Sequence, residues 1–222
     1  MKKQNITEEY INGLLPQRTP LLEEMEKYAE EHGVPIMEQT GIKLLLQILE
    51  IHQPARILEV GAAIGYSAIR MAEAVPHAEI YTMERDEERA EAARDNINKA
   101  GLSKRIFLLE GDALDLKKEA ADNGPFDVLF IDAAKGQYER FFDLYAPLVL
   151  PGGLIISDNV LFKGMVSGET ELTSKRVESM VNKLRKFNER LMKDSSFSSM
   201  IYPVGDGVMV SRKKVLNGGE QE

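Results

Sequence analysis

Five short apolar runs, each followed by a helical segment, predict an α/β fold with a mostly parallel sheet and helices on both faces. Two further observations refine this. The first fifty residues carry helical periodicity, and two alternating runs near the C-terminus predict an antiparallel hairpin.

The elements follow in order. Thr19-Pro20 pairs an N-cap with proline at the first helical position, and Gly33 closes that helix. A second helix spans about Glu38 to Ile51, with Ile42, Leu45, Leu46 and Leu49 on one face. After Pro54 the rhythm changes. "RILEV" (56–60) ends at Gly61 and precedes a helix over 65–74. "EIYTM" (79–83) precedes a charged helix reaching about Ala100, "RIFLLE" (105–110) a helix near 113–121, and "FDVLFI" (126–131) a helix near 137–147. "GLIIS" (153–157) is followed by a loop and a long helix from about Ser174 to Lys193, whose stripe is Val177, Met180, Val181, Leu184, Phe187 and Leu191. "FSSMIYPV" and "GVMVSRK" form the hairpin around Gly205-Asp206-Gly207. With no repeat and no long linker, 1–222 reads as a single domain. It comprises N-terminal helices over 1–53, an α/β core over 54–214 and a frayed tail over 215–222.

The 222 residues suffice for one large domain with a full core. The chain has no cysteine, which excludes disulfides and thiolate metal sites and fits a cytoplasmic location. Lys2 and Lys3 are followed by "QNITEEYING" rather than an apolar segment, so no export signal is expected. No apolar run approaches the roughly 18–20 residues of a membrane span. The net charge of −8 argues against a globally basic nucleic-acid binder. The charge is uneven, however: residues 173–214 hold ten Lys/Arg against four Asp/Glu, a local +6 that leaves −14 elsewhere. That segment reads either as a solvated helix face with a basic end or as a local phosphate-contacting patch.

The strand ends carry the chemistry. "EVGAAIGYS" (59–67) is a strand, a glycine turn and a helix start, and Gly61 and Gly65 let the backbone turn tightly beside a ligand. Ala63 stands where a dinucleotide fingerprint has its second glycine, so the turn alone also reads as structural punctuation. Glu84 ends the second strand, where a carboxylate accepts both hydroxyls of an adenosine ribose; its plainer reading is a helix-start acid. Asp112 and Ala113 follow the third strand and suit an exocyclic amine and a ring nitrogen of adenine, although Asp112 also suits an N-cap. Three strand ends in order are more specific than any one.

Asp132 ends the fourth strand, and Asp158 with Asn159 ends the fifth. Two carboxylates and an amide carbonyl make an all-oxygen set that suits Mg²⁺, against the reading of turn and cap residues. Lys135, three residues after Asp132, would lie beside the ion and take a proton from an acidified hydroxyl or stabilise the oxyanion.

With these residues in view, the chain resembles the cation-dependent O-methyltransferases that use S-adenosylmethionine, the catechol and caffeoyl-CoA type. The matching segments are "LEVGAAIGYSAIRMA", "YTMERDEERAEAARDNI", "GDAL", "FDVLFIDAAKGQY", "LVLPGGLIISDNVLFKG" and "PVGDGVMVS". Within that family "VPIMEQTGIKLLLQIL", "IDAAKGQY" and "DNVLFKG" look like the bacterial enzymes that methylate 5-hydroxyuridine at the tRNA wobble position. The resemblance implies a Rossmann-like class I methyltransferase fold with a seven-stranded sheet, and a homodimer formed through the N-terminal helices. It also implies roles by position. Ser67 would hold the cofactor's methionine carboxylate, with a backbone contact from Met37 and a turn at Gly61. Glu84 would bind the ribose, and Asp112 with Ala113 the adenine. Asp132, Asp158 and Asn159 would bind Mg²⁺, Asp132 also bordering the cofactor, and Lys135 would be the base. The acceptor would be a tRNA anticodon loop or, alternatively, a small catechol. A third reading is a non-catalytic binder of the cofactor. Ala134 stands where the plant-type motif has a second acid, and Ala62-Ala63-Ile64 where threonines are frequent, which points away from caffeoyl-CoA as acceptor.

Overall fold

The computed structural model describes residues 6–215. Its centre is a seven-stranded sheet in the order β3-β2-β1-β4-β5-β7-β6. The strands are β1 (Arg56–Val60), β2 (Glu79–Glu84), β3 (Ile106–Glu110), β4 (Phe126–Ile131), β5 (Val149–Ser157), β6 (Phe197–Tyr202) and β7 (Val208–Lys213). The first five run parallel, and β7 enters antiparallel between β5 and β6. The helices are α1 (Ile6–Leu14), α2 (Pro20–His32), α3 (Gln39–His52), α4 (Tyr66–Ala74), α5 (Glu87–Lys99), α6 (Lys117–Asn123), α7 (Tyr138–Tyr145) and α8 (Lys175–Lys193).

Alternation along the central strands sorts the core into two layers. Ile57, Ile80, Val128, Phe130 and Ile156 join the apolar faces of α2, α3 and α4. Leu58, Val60, Tyr81, Leu129, Ile131 and Ile155 join α7 and α8 through Phe141, Phe142, Leu184, Phe187 and Leu191. Both faces of β1 and β4 are therefore buried, which is why both read as mainly apolar runs, Glu59 and Asp127 apart.

Capping follows the sequence closely. Thr19 Oγ accepts from the Leu22 amide at 3.4 Å, Gly33 ends α2 at φ 63°, and Ser174 Oγ accepts from the Val177 amide at 3.3 Å. Two expectations need correction. The helix expected near 113–121 begins only at Lys117, because the Asp112 carboxylate takes the Leu114 amide (2.9 Å) and holds the intervening residues in turns. The fifth strand begins at Val149, not Gly153. Pro151-Gly152-Gly153 reads as a strand breaker, but the pairing absorbs it as an irregularity: Phe126 pairs with Val149 and Val128 with Leu154.

The α1 helix buries no residue and exposes Ile6, Tyr10 and Leu14; Thr40 of α3 donates to its Glu8 at 2.7 Å. No helix among the described residues is long and apolar enough to cross a membrane. The expected tail lies outside the described residues except for Val215, which is exposed.

Gly153 anchors the β4–β5 irregularity. A Cβ there would approach the Asp127 carbonyl oxygen to 2.6 Å and Val149 Cγ1 to 2.7 Å. Gly153→Ala should destabilise the chain by about 1–3 kcal/mol through overpacking, read as a lower midpoint in urea unfolding. An unchanged midpoint would show that this register is soft.

Candidate active site

The parallel strands all point their carboxyl ends to one edge of the sheet, and chain order reverses between β1 and β4, the place where open α/β sheets form ligand crevices. A cleft of about 590 Å³ opens there. Met37, Gly61, Ser67, Glu84, Asp112, Ala113, Asp132, Lys135, Asp158 and Asn159 all line it, whereas Gly65 does not.

Gly61 makes the crevice possible. Its φ is 104°, its amide donates to the Met83 carbonyl at 3.1 Å, and a Cβ would run into the carbonyl oxygen of Asp132. Gly65, at φ 82°, is the N-cap of α4 and packs on the Ala93 backbone.

One end of the cleft is built around Glu84. Its carboxylate accepts the amides of Ala63 (2.8 Å), Arg85 (2.9 Å) and Asp86 (3.0 Å), which fix its orientation before any ligand arrives. Asp112 faces the same end, held by the Leu114 amide and an Arg85 ion pair at 3.4 Å. The Ala113 carbonyl accepts the Tyr145 hydroxyl. Met37 is buried in the segment that leads into α3.

Ser67 lies at the start of α4, its hydroxyl already engaged. Its hydroxyl hydrogen goes to Glu59, so toward a carboxylate Ser67 offers its backbone N–H in the first turn of α4. Glu59 itself escaped the sequence reading, although an acid inside "RILEV" was a visible irregularity. It is fully buried and accepts from both Ser67 and Thr82. Burial raises its pKa to about 7; the two hydroxyl donors oppose that rise, and the charges of Asp132 and Glu84 add to it.

The other end holds Asp132 and Asp158. They follow the paired residues Ile131 and Ser157, which puts them on adjacent strand ends; the Asp132 amide bonds the Val60 carbonyl and the Asp158 amide the Ile131 carbonyl, both at 3.0 Å. Burial raises both pKa values. That of Asp158 reaches about 8, with the Asp132 charge adding to the effect of burial. Lys135 Nζ lies 3.8 Å from Asp132 Oδ1 and opposes the rise at Asp132. Asn159 sits at φ 54°, and the buried Tyr138 hydroxyl donates to the Asp158 carbonyl at 2.9 Å. Among the described residues no group of three or more His, Cys, Asp or Glu converges as a metal site. The set here is two acids and an amide. A buried carboxyl, Asp158, and a partly exposed one, Asp132, beside Asn159 nevertheless fit a hard cation, because a cation would favour the charged form of both acids.

Phe162 and Lys163, from the loop that follows the fifth strand, and Asp206 also line the cleft. Phe162 (φ 42°) and Lys163 (φ 54°) return to the left-handed backbone that Asn159 adopts, Val160 and Leu161 between them not sharing it. The Leu161 and Phe162 amides donate to the Asp206 carbonyl at 2.9 and 3.2 Å. On the other side Arg185 of α8 donates to the Met165 and Val166 carbonyls, each at 3.0 Å, and Asn188 to Val160 at 2.9 Å.

The Glu59 pKa gives a testable pH dependence. Its folded value lies above the ordinary carboxylate range, so the folded chain holds this proton over a pH window in which the unfolded chain has released it. The stability linked to it is present below pH 4.5 and is lost as pH rises toward 7, on the order of 3 kcal/mol. Glu59→Gln, which carries no titrating proton, should flatten the stability profile between those pH values, measured by urea unfolding. A variant whose profile keeps the wild-type slope would exclude Glu59 as its source.

Comparison with known proteins places this geometry. The model of the O-methyltransferase family matches residues 16–214. The chain is 33% identical to the catechol O-methyltransferase of Niastella koreensis, over 86% of this chain and 87% of that protein. It is 30% identical to the caffeoyl-CoA O-methyltransferase of Stellaria longipes, over 90% of this chain and 86% of that protein. The crystal structure of the Bacillus cereus O-methyltransferase in complex with SAH superposes with a TM-score of 0.81 at 29% identity, covering 94% of this chain and 97% of that one. By sequence and by fold, the chain belongs to the O-methyltransferase family.

Proposed function

We propose that the chain moves a methyl group from S-adenosylmethionine to one hydroxyl of a small aromatic ring carrying two adjacent oxygens, the catechol class. One observation carries this reading. A single cleft has carboxylates suited to an adenosine at one end, Glu84 and Asp112, and a buried acid pair with a lysine at the other, Asp132, Asp158 and Lys135. A binder of the cofactor alone has no use for the second end. The expectation of a tRNA acceptor gives way here, because relatives at 33% and 30% identity are named for catechol and caffeoyl-CoA.

Glu84 holds the donor's ribose, Asp112 and the Ala113 amide hold its adenine, and Met37 and Ser67 offer backbone contacts to its amino-acid end. Bound there, S-adenosylmethionine supplies a methyl on a sulfonium whose positive charge is lost as the methyl leaves. Asp132, Asp158 and Asn159 would hold Mg²⁺; bound there, the ion supplies Lewis-acid charge to the acceptor's two oxygens. Lys135 receives the hydroxyl proton at Nζ or holds the oxyanion by its charge. The cleft confines donor and acceptor together, an effect that can lower a barrier by roughly 7–11 kcal/mol at best. The exposed apolar stripe Ile6, Tyr10 and Leu14 on α1 supports pairing of two copies through the N-terminal helices.

A second reading keeps 5-hydroxyuridine of a tRNA anticodon loop as acceptor, since its 5-hydroxyl and 4-carbonyl repeat the same pair of oxygens. The observation favouring it is a row of exposed cations on α8, Lys175, Arg176, Lys183 and Lys186, with Lys163 lining the cleft.

The deciding assay incubates the chain, Mg²⁺ and methyl-labelled S-adenosylmethionine with catechol and, separately, with tRNA bearing 5-hydroxyuridine. Label is expected in catechol; label in tRNA alone would overturn the first reading in favour of the second. Lys135→Ala should lower kcat on the order of 10²–10⁴-fold. Asp158→Ala should reduce turnover to background while cofactor binding, read by calorimetry, persists. Full activity after exhaustive chelation would exclude the metal.

A further inference from the structure

Tyr66 opens α4 beside Ser67 and is only 1% exposed, yet its hydroxyl makes three hydrogen bonds. It donates to Glu26 Oε1 of α2 at 2.7 Å and accepts from Gln39 Nε2 at 2.9 Å and an Arg70 guanidinium nitrogen at 2.8 Å. A tyrosine hydroxyl has one hydrogen to give, and here it is given while two donors converge on the oxygen. Gln39 also donates to the same Glu26 oxygen at 2.9 Å, and the second Glu26 oxygen accepts from Arg18 at 2.9 Å. Arg18, Glu26, Gln39 and Arg70 do not line the cleft. The segments they tie together do: residues 35–38, which end at Gln39, and the first turn of α4, Tyr66 and Ser67.

We propose that this junction of Glu26, Gln39 and Tyr66 is a positioning device for the amino-acid end of the methyl donor. It sets the spacing between the 35–38 wall and the first turn of α4, and so makes helix α2 part of the cofactor site. The proposal rests on the reading of S-adenosylmethionine as cofactor. Apolar packing alone would not achieve this positioning. Leu22, Met25 and Ala29 of α2 and Ile42, Leu45 and Leu49 of α3 bury well, but such contacts are non-directional and fix closeness better than register. Hydrogen bonds converging on one oxygen are directional and fix register. Arg18 and Arg70 flank Glu26 and Tyr66, so the carboxylate is compensated although its side chain is only 19% exposed. The wall held in place includes Met37, and the turn held in place includes Ser67, whose hydroxyl is fixed in turn by Glu59.

Three variants test this. Tyr66→Phe deletes one oxygen, Glu26→Ala removes the acceptor, and Glu26→Gln keeps an acceptor oxygen for Tyr66. Binding of S-adenosylhomocysteine is measured by calorimetry, alongside acceptor KM and thermal unfolding. Tyr66→Phe and Glu26→Ala should each weaken cofactor binding by roughly 3–10-fold, the range of one net hydrogen bond. The double variant should be no weaker than the poorer single, and Glu26→Gln should recover most of the loss. Acceptor KM at saturating cofactor should stay at its wild-type value. Cofactor affinity within two-fold of wild type in both single variants, whatever happens to the melting temperature, would overturn the proposal, as would additive losses in the double variant. A wild-type chain that binds no S-adenosylhomocysteine would remove the cofactor reading and this proposal with it.

Discussion

Two carboxyl groups on neighbouring strand ends, one buried and one partly exposed, set the terms for everything around them. Asp132 and Asp158 are neighbours because β4 and β5 are parallel and in register up to Ile131 and Ser157. Parallel strands end at the same edge, so residues that follow a paired position are forced side by side. The site is therefore a consequence of sheet topology, not of loop design. The cost is repulsion and desolvation, visible as the upward drift of both pKa values. Lys135 offsets part of it at Asp132 from 3.8 Å away.

The same negative charge shapes the donor end. Glu59 feels both Asp132 and Glu84, and burial alone would already favour its protonated form. Ser67 and Thr82 counter this by donating to it, which leaves the Ser67 hydroxyl unavailable to donate elsewhere. Glu84, on the neighbouring strand, is held instead by three backbone amides. Gly61 couples the ends mechanically, since its missing side chain allows the β1 turn to lie against the Asp132 backbone.

Most of the architecture was legible because burial on both faces leaves a mainly apolar signature in β1 and β4, and because Thr19, Gly33 and Ser174 mark helix ends chemically. The strand-end residues were legible for the same reason: a polar residue just past an apolar run stands out. What sequence could not convey was partnership. Asp112 as a cap looks the same whether a helix or a run of turns follows, and only the Leu114 bond decides. Pro151-Gly152-Gly153 looks like a break because the sheet's tolerance for an irregular pairing lies in its neighbour, β4. Glu59 was overlooked because its role depends on two hydroxyls that arrive from elsewhere in the chain, and Tyr66 because its three partners come from three different helices.

The C-terminal hairpin answers a different need. By inserting β7 antiparallel beside β5, the chain makes β6 run parallel to the first five strands, so the β6–β7 turn falls at the same edge as their carboxyl ends. That turn brings Asp206 to the cleft and gives its carbonyl to Leu161 and Phe162. Helix α8 grips the opposite side of the same loop through Arg185 and Asn188. Three residues of that loop, Asn159, Phe162 and Lys163, adopt left-handed backbone that non-glycine residues disfavour. Such conformations persist only where the surroundings over-determine them. Here two elements from the C-terminal third of the chain do so, and both are needed to present Asn159 beside Asp158 and to aim Phe162 and Lys163 into the cleft. The hairpin and α8 therefore shape this end of the cleft as much as the residues that line it.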